Sequence, residues 1–354
     1  MDESSPHMRV AACTSDGNLR IERIPVHPLG PGEAVLRLTW CGFCGTDLFK
    51  LDNRTQAAGT VLGHELVGIV HEIGDGVTTL KLGDRVVAPH HVACGRCGLC
   101  RRGSRTLCPV FKENLMSPGG FSEFVLLGER IVNEAARVIP DHVPDESAAF
   151  LEPAACVLRG IDKADIRDPE GCAVVIGGGS MGLLHLLVLR AVHPELSVIV
   201  TDPIEERRVL AERLGATASC PPDQLETTAK SVTGNLGADA VFDTVGGSGI
   251  LVSAMVVLRP GGTVVLFAHA GEGETAGFEL NTLFKNERRV VATYSGSLDE
   301  QDRVADLLFS GKLDPRPLVS HRIPLDRIQD AVDLARRRQA LKILIGPPVK
   351  EERR

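Results

Sequence analysis

The hydrophobic pattern changes its period part-way along the chain. From residue 9 to about residue 150 it is strand-like and rich in loops. Val35–Trp40 sets Leu36, Leu38 and Trp40 on one face against Val35, Arg37 and Thr39 on the other, the alternation of a half-buried strand. Leu66–Ile73, Arg85–Ala88 and Phe121–Leu127 are further predicted strands, separated by the turn signals Gly74-Asp75-Gly76 and Gly119-Gly120. Near Pro144 the texture changes. Asp145 and Glu146 open a predicted helix that runs through Ala148–Gly160. Short apolar strands then alternate with helices: Ala173–Ile176, helix Met181–Val192, Val198–Thr201, helix Ile204–Leu214, Ala240–Phe242, helix Ile250–Leu258, Thr263–Phe267 and Val290–Thr293. Such alternation predicts parallel βαβ units. The end returns to mixed texture, with a helix over Gln301–Phe309, a strand near Val319–Ile323, a helix over Leu325–Arg338, a strand over Leu341–Ile345 and a charged tail, Lys350–Arg354.

Composition narrows the function classes. At roughly 150 residues per domain, 354 residues suggest two domains. Lys and Arg number 39 against 46 Asp and Glu, a net charge of −7, which argues against a nucleic-acid partner. No apolar run reaches the roughly 18 residues of a membrane span. Met1–Val10 is too polar for a secretory signal. Ser4–Met8 reads as an added leader ahead of a start at Met8. The expected setting is therefore cytoplasmic, with no membrane partner. In a reducing compartment the ten cysteines point to metal binding or catalysis rather than to disulfides.

Three constellations carry chemistry. Cys94, Cys97, Cys100 and Cys108 follow the spacing Cys-x2-Cys-x2-Cys-x7-Cys inside one loop. Four thiolates so spaced can close around one Zn²⁺ and leave no open position, or hold an iron–sulfur cluster. Next, Gly177-Gly178-Gly179-Ser180-Met181-Gly182 follows a predicted strand and opens a predicted helix, where glycines permit the tight turn and close approach of a pyrophosphate. Asp202 lies 20 residues beyond Gly182, at the end of the next strand. A carboxylate there binds the adenosine ribose hydroxyls and repels a 2′-phosphate, which favours NAD over NADP. Arg207 and Arg208, just downstream, are the features that favour NADP. The third constellation is dispersed: Cys44-Gly45-Thr46-Asp47, Gly63-His64-Glu65 and Glu152-Pro153. Together these have the composition of a catalytic zinc site with an exchangeable position.

With these motifs, Gly83-Asp84-Arg85-Val86, Gly119-Gly120-Phe121-Ser122-Glu123-Phe124 and Leu258-Arg259-Pro260-Gly261-Gly262, the chain resembles the zinc-dependent medium-chain dehydrogenases of the alcohol, sorbitol and threonine group, from Val10 to Ile345. The resemblance implies an α/β fold: a GroES-like β-rich catalytic domain (8–154, zinc loop 90–108), a doubly wound Rossmann domain (155–292) and a return to the catalytic domain (293–354). It implies two zinc ions per chain. Cys44, His64 and Glu152 would hold the catalytic one, with Glu65 as a fourth ligand or a carboxylate behind the ligands; the four-cysteine loop would hold the structural one. Gly177, Gly179, Ser180, Met181, Gly182, Asp202 and Arg207 would bind NAD. The implied reaction is oxidation of a secondary hydroxyl of a small polyol, cyclitol or amino alcohol to the ketone, in a homodimer or homotetramer.

One thiolate and two carboxylates around Zn²⁺ would leave a net charge of −1, so at most one of Glu65 and Glu152 is expected to bind tightly at once. Thr46 matches the position that begins proton release, but Phe49 stands where the family commonly carries His, so Asp52, the second ligand carboxylate or a water chain is needed as the exit. Trp40, Phe43, Phe49, Met116 and Phe121 are candidate pocket walls or core. Two other readings compete: a zinc-free NADPH-dependent quinone or enoyl reductase, and a non-catalytic NAD- or zinc-sensing relative.

Overall fold

The computed structural model describes residues 7–348 apart from Lys112, Asn114 and Phe278; Ser4–Pro6 and the tail Lys350–Arg354 lie outside the described residues. The chain forms two compact units, divided between Glu152 and Pro153 and again between Gly296 and Ser297. No helix among the described residues is long and apolar enough to cross a membrane.

The unit Pro153–Gly296 is built on six parallel strands. In spatial order they are Ala218–Cys220, Ser197–Thr201, Cys172–Ile176, Ala238–Asp243, Leu258–Leu266 and Arg289–Ala292. This is the third-second-first-fourth-fifth-sixth order of a Rossmann sheet. Every residue of Cys172–Ile176 and of Ala238–Asp243 is buried, as expected of central strands covered on both faces. The strand Ala218–Cys220 and the helix Leu225–Val232 were not among the expected elements. Three residues, Ala-Ser-Cys, carry too short a pattern to read.

The other unit holds the antiparallel hairpin His7–Cys13 with Leu19–Pro25 and a curled, mostly antiparallel sheet. Along that sheet run Val319–Pro324, Lys342–Gly346, Ala34–Phe43, Glu65–Ile73, Arg85–Ala88 and Arg137–Val138, with Phe124–Leu127 also pairing Ala34–Phe43. The pairing registers bring Gly42 opposite both Glu65 and Leu344. The expected alternation of Val35–Trp40 is interrupted: Val35 and Leu36 are both buried, and the register shifts after Val35 and after Leu38. A bulge adds a residue on one strand and so re-aims the side chains. Phe43, Met116 and Phe121 lie in the core, with Phe43 stacked on Phe121 at 5.9 Å, so packing rather than a pocket wall accounts for them. The single helix expected from Asp145 is two, Asp145–Ala148 and Leu151–Ala164. Pro153 falls in the first turn of the second, where its missing N–H has no helical partner to lose. The helix expected over Leu325–Arg338 starts as a 3₁₀ turn, Leu325–Arg327, and becomes α-helical over Ile328–Arg336.

Candidate active site

Cys44 follows the strand Ala34–Phe43 and caps the helix Gly45–Asp52. Its sulfur accepts the Thr46 N–H at 3.4 Å, a donor aimed where a thiolate would carry its charge. The helix start is a capping box: the Cys44 N–H donates to Asp47 Oδ2 at 3.0 Å. The other oxygen, Oδ1, faces His64 Nδ1 at 3.4 Å, and Asp47 is wholly buried. Burial alone would raise the Asp47 carboxyl, but the His64 charge and the hydrogen bonds from His64 and Cys44 bring it below the usual range. For His64 burial opposes the charge, and Asp47 overrides it and lifts the imidazole well above 6.5. Asp47 thus fixes the ring through Nδ1 and leaves Nε2 for a metal, the carboxylate–histidine–metal arrangement.

Cys44, His64 and Glu65 offer ligand atoms that all lie within 4.8 Å of one another. A thiolate, an imidazole and a carboxylate so gathered fit a zinc site with room for an exchangeable group. Glu152 does not join this cluster. Its charge acts on the ammonium of Lys342, a residue the motif reading did not single out. Lys342 Nζ donates to Glu65 Oε1 at 2.8 Å and to Oε2 at 2.7 Å, with the lysine 2% and the glutamate 1% exposed. Burial works against the Lys342 charge, but Glu65, Cys44 and Glu152 outweigh it and raise its pKa. The neighbour across the sheet must be glycine, because a Cβ on Gly42 would lie 1.7 Å from Glu65 Oε2.

Thr46 and Phe49 sit on the helix that Cys44 caps, and Phe49 is 42% exposed. Asp52 does not stand ready as a proton exit: it pairs with Arg336 at 2.9 Å. His90 is a further residue that the motifs did not flag. It packs its ring on His64, centroids 4.7 Å apart, and burial drives its pKa well below 6.5.

The four-cysteine loop closes on itself. Cys97–Cys100 and Cys94–Cys108 sulfurs are 3.5 Å apart and Cys94–Cys100 4.0 Å, and no disulfide forms. A zinc–sulfur bond of about 2.3 Å puts tetrahedral sulfurs roughly 3.8 Å apart, so the spacing fits. Backbone N–H groups of Arg96 and Cys97 pull the Cys94 thiol down to about 6, while burial and its neighbouring thiols push Cys100 up to about 12. Four sulfurs this close ionise together only around a cation.

In the other unit Gly177 takes φ +102°, and a Cβ on Gly182 would lie 1.7 Å from the Gly177 carbonyl, so both positions demand glycine. Gly179 caps the helix Ser180–Val192, and the buried Ser180 Oγ has no partner among the described residues. An open helix N-terminus with a spare hydroxyl fits a pyrophosphate. Asp202 Oδ2 accepts the Gly178 N–H at 2.7 Å and Oδ1 the Ile204 N–H at 2.8 Å, while Arg207 approaches Oδ2 to 3.6 Å. Met181 follows Ser180 in the first turn, its carbonyl 2.7 Å from His185 Nδ1.

Comparison with known proteins agrees with this geometry. Residues 30–137 match the alcohol dehydrogenase GroES-like domain and residues 180–310 the zinc-binding dehydrogenase domain. The chain is 27% identical to sorbitol dehydrogenase of Bacillus subtilis (strain 168), over 96% of this chain and 98% of the relative. It is 31% identical to D-altritol 5-dehydrogenase of Agrobacterium fabrum, over 88% and 91%. A solved candidate zinc-binding dehydrogenase of Sinorhizobium meliloti 1021, bound to NADP, superposes with a TM-score of 0.86 at 28% identity, covering 97% of this chain and all of the other. The chain belongs to the zinc-dependent medium-chain dehydrogenases, oxidoreductases acting on CH–OH groups with a nicotinamide cofactor.

Proposed function

We propose that this chain is an NAD-dependent dehydrogenase that oxidises a secondary hydroxyl of a small polyol, cyclitol or amino alcohol to the ketone. Zinc fills both cysteine centres, and the enzyme works as a cytoplasmic homodimer or homotetramer. The observation that carries this reading is the Cys44–His64–Glu65 cluster, with Asp47 behind the imidazole and Lys342 behind the carboxylate. The sorbitol and D-altritol relatives support a polyol. A bound zinc supplies the Lewis acidity that brings a hydroxyl proton within reach of neutral pH, and a bound nicotinamide accepts the hydride.

The residues divide that work. Cys44 and His64 are the permanent ligands. Glu65 and Glu152 compete for the remaining position, and Lys342 decides between them by holding Glu65 through both oxygens. Lys342 also corrects the charge: against a thiolate, two carboxylates and a dication, its ammonium brings the centre from −1 to neutral. Thr46 takes the substrate proton as it passes its own to a water chain leading to solvent, and Phe49, with no ionisable group, plays no part in that transfer. Asp202, Arg207 and the loop Gly177–Gly182 bind the cofactor. The buried Asp202 carboxylate, held by two backbone N–H groups, favours a free ribose 2′-hydroxyl and hence NAD.

The sheet edge supports self-association. Arg289–Ala292 has no strand on its outer side among the described residues, and Leu280 and Phe284 of the preceding helix are 74% and 79% exposed. Unpaired edges beside apolar side chains are ordinarily covered, here by a second copy.

The test is a screen of NAD⁺ and NADP⁺ reduction by zinc-loaded protein over polyols, cyclitols, amino alcohols and simple alcohols. Reduction of NAD⁺ by a vicinal diol or polyol is the expected result. No turnover with any of them, or a preference for NADP⁺, contradicts the reading.

A further inference from the structure

Four rings run in unbroken contact from the dispersed cluster to the four-cysteine loop. His64 packs on His90 with centroids 4.7 Å apart, His90 on His91 at 3.5 Å, and His91 on Phe111 at 4.9 Å. Phe111 is 1% exposed and belongs to a separate small core formed with Ala93, Cys100 and Cys108, against which Cys94 and Cys97 pack. The chain makes the same connection covalently. Ala88, at the end of Arg85–Ala88, pairs with Leu66, two residues beyond His64, and Pro89-His90-His91-Val92-Ala93 then leads straight into Cys94. This short segment is pinned by the sheet at one end and by the cysteine loop at the other. Between those pins, His90 Nδ1 is buried with no hydrogen-bond partner among the described residues. Packing between the two neighbouring rings sets its place there, not a hydrogen bond at that nitrogen.

We infer that the ring ladder His64–His90–His91–Phe111 couples the two metal centres, so that filling the four-cysteine loop sets the metal affinity of the Cys44–His64 site, with His90 and His91 as positioning residues for His64. The inference rests on the zinc assignment made above, not on the substrate or the reaction. Physically, the loop collapsed on its metal presses Phe111 and the Cys94 end of the segment into one place. The tilted imidazoles in contact then hold the His64 ring from the side that Asp47, 3.4 Å from Nδ1 at the ring edge, leaves free to rock. Outer partners of a metal ligand typically change affinity by about 10–100-fold when removed.

The experiment uses full-length protein with zinc in the four-cysteine loop and cobalt(II) in the exchangeable site. Affinity is read by competition with a chromogenic chelator, and ligand geometry by the cobalt d–d bands. With loop zinc confirmed by elemental analysis, His90→Ala and Phe111→Leu should each weaken the exchangeable site about 10-fold and shift the bands. His90→Phe and Phe111→Tyr, which keep a ring, should restore both readouts. In a His91→Ala background the effect of Phe111→Leu should largely vanish, since the ladder is already cut. The inference is overturned if Phe111→Leu leaves affinity and bands unchanged, if His90→Phe is as damaging as His90→Ala, or if the Phe111 and His91 effects simply add. Because none of these readouts needs turnover, a failure of the substrate reading leaves this test intact.

Discussion

The two cysteine centres are assembled in opposite ways. One takes all its candidate ligands from Cys94–Cys108, a stretch that needs little more than a turn and a short helix to close. The other gathers Cys44, His64, Glu65 and Lys342 from strands and strand ends far apart in sequence, and the register of a curled sheet brings them together. A local centre writes its chemistry into residue spacing. A dispersed centre writes it into topology, and it uses buried charges that look unremarkable one at a time. The local centre should therefore tolerate changes elsewhere in the sheet, whereas the dispersed one should fail when any supporting charge is removed.

The largest expected effect separates the centres outright. His64→Ala should empty the exchangeable site and lower turnover by at least about a thousandfold while the loop keeps its zinc, as counted by elemental analysis. Loss of both metals together would erase the distinction. Thr46→Val comes next: both metals should stay, and kcat should fall by about 10²–10⁴-fold, the usual range for a proton-transfer group. Near-normal turnover would remove Thr46 from the reaction.

Lys342→Met tests the buried charge. It leaves the buried Glu65 carboxyl without its partner inside the sheet and should cost about 3–5 kcal/mol in a denaturant titration. Adding Glu65→Gln to the same chain should recover much of that loss, because no lone charge then stays buried. If the single variant were as stable as the parent, the pair would have no part in holding the sheet.

The smallest effect lies in the other unit. His185 is wholly buried between Phe242 and Phe267, its Nδ1 2.7 Å from the Met181 carbonyl, and burial lowers its pKa to about 4. An unfolded histidine titrates near 6.5, so unfolding takes up a proton between those values. The neutral ring contributes its full stability above about pH 6.5, and the contribution is lost as the pH falls towards 4. The total is on the order of 3 kcal/mol. His185→Leu should flatten stability against pH in that window, measured by thermal or chemical unfolding. An unchanged slope would mean that acid sensitivity lies elsewhere.

What was readable followed the same divide. The Rossmann unit showed itself through the alternation of apolar strands and helices, and its glycine loop through a strand before it and Asp202 after it. Ala218–Cys220 escaped because three residues carry no period. The four cysteines were plain from spacing. Cys44, His64 and Glu65 stood out only as part of a dispersed set with the composition of a zinc site, and resemblance to a family gave them their roles, since nothing in their spacing announces a shared register. Asp47 stood in view beside Thr46, but its work depends on His64 reaching back to it from the start of another strand. Lys342 was hidden most completely. Inside the apolar run Leu341–Ile345 it passes for a strand residue with its charge in water, whereas the sheet buries it against Glu65. His90 and His91 were missed because packing of tilted rings leaves no mark in sequence spacing.

On the proposed function, catalysis belongs to the dispersed cluster and not to the four-cysteine loop. The direct measurement is the rate of NAD⁺ reduction with a small polyol as zinc is titrated back into metal-stripped protein, with each site followed separately. Turnover is expected to track filling of the Cys44–His64 site and to stay absent while only the four-cysteine loop is occupied. Full turnover with that loop alone filled, or none with both sites full, would overturn that assignment.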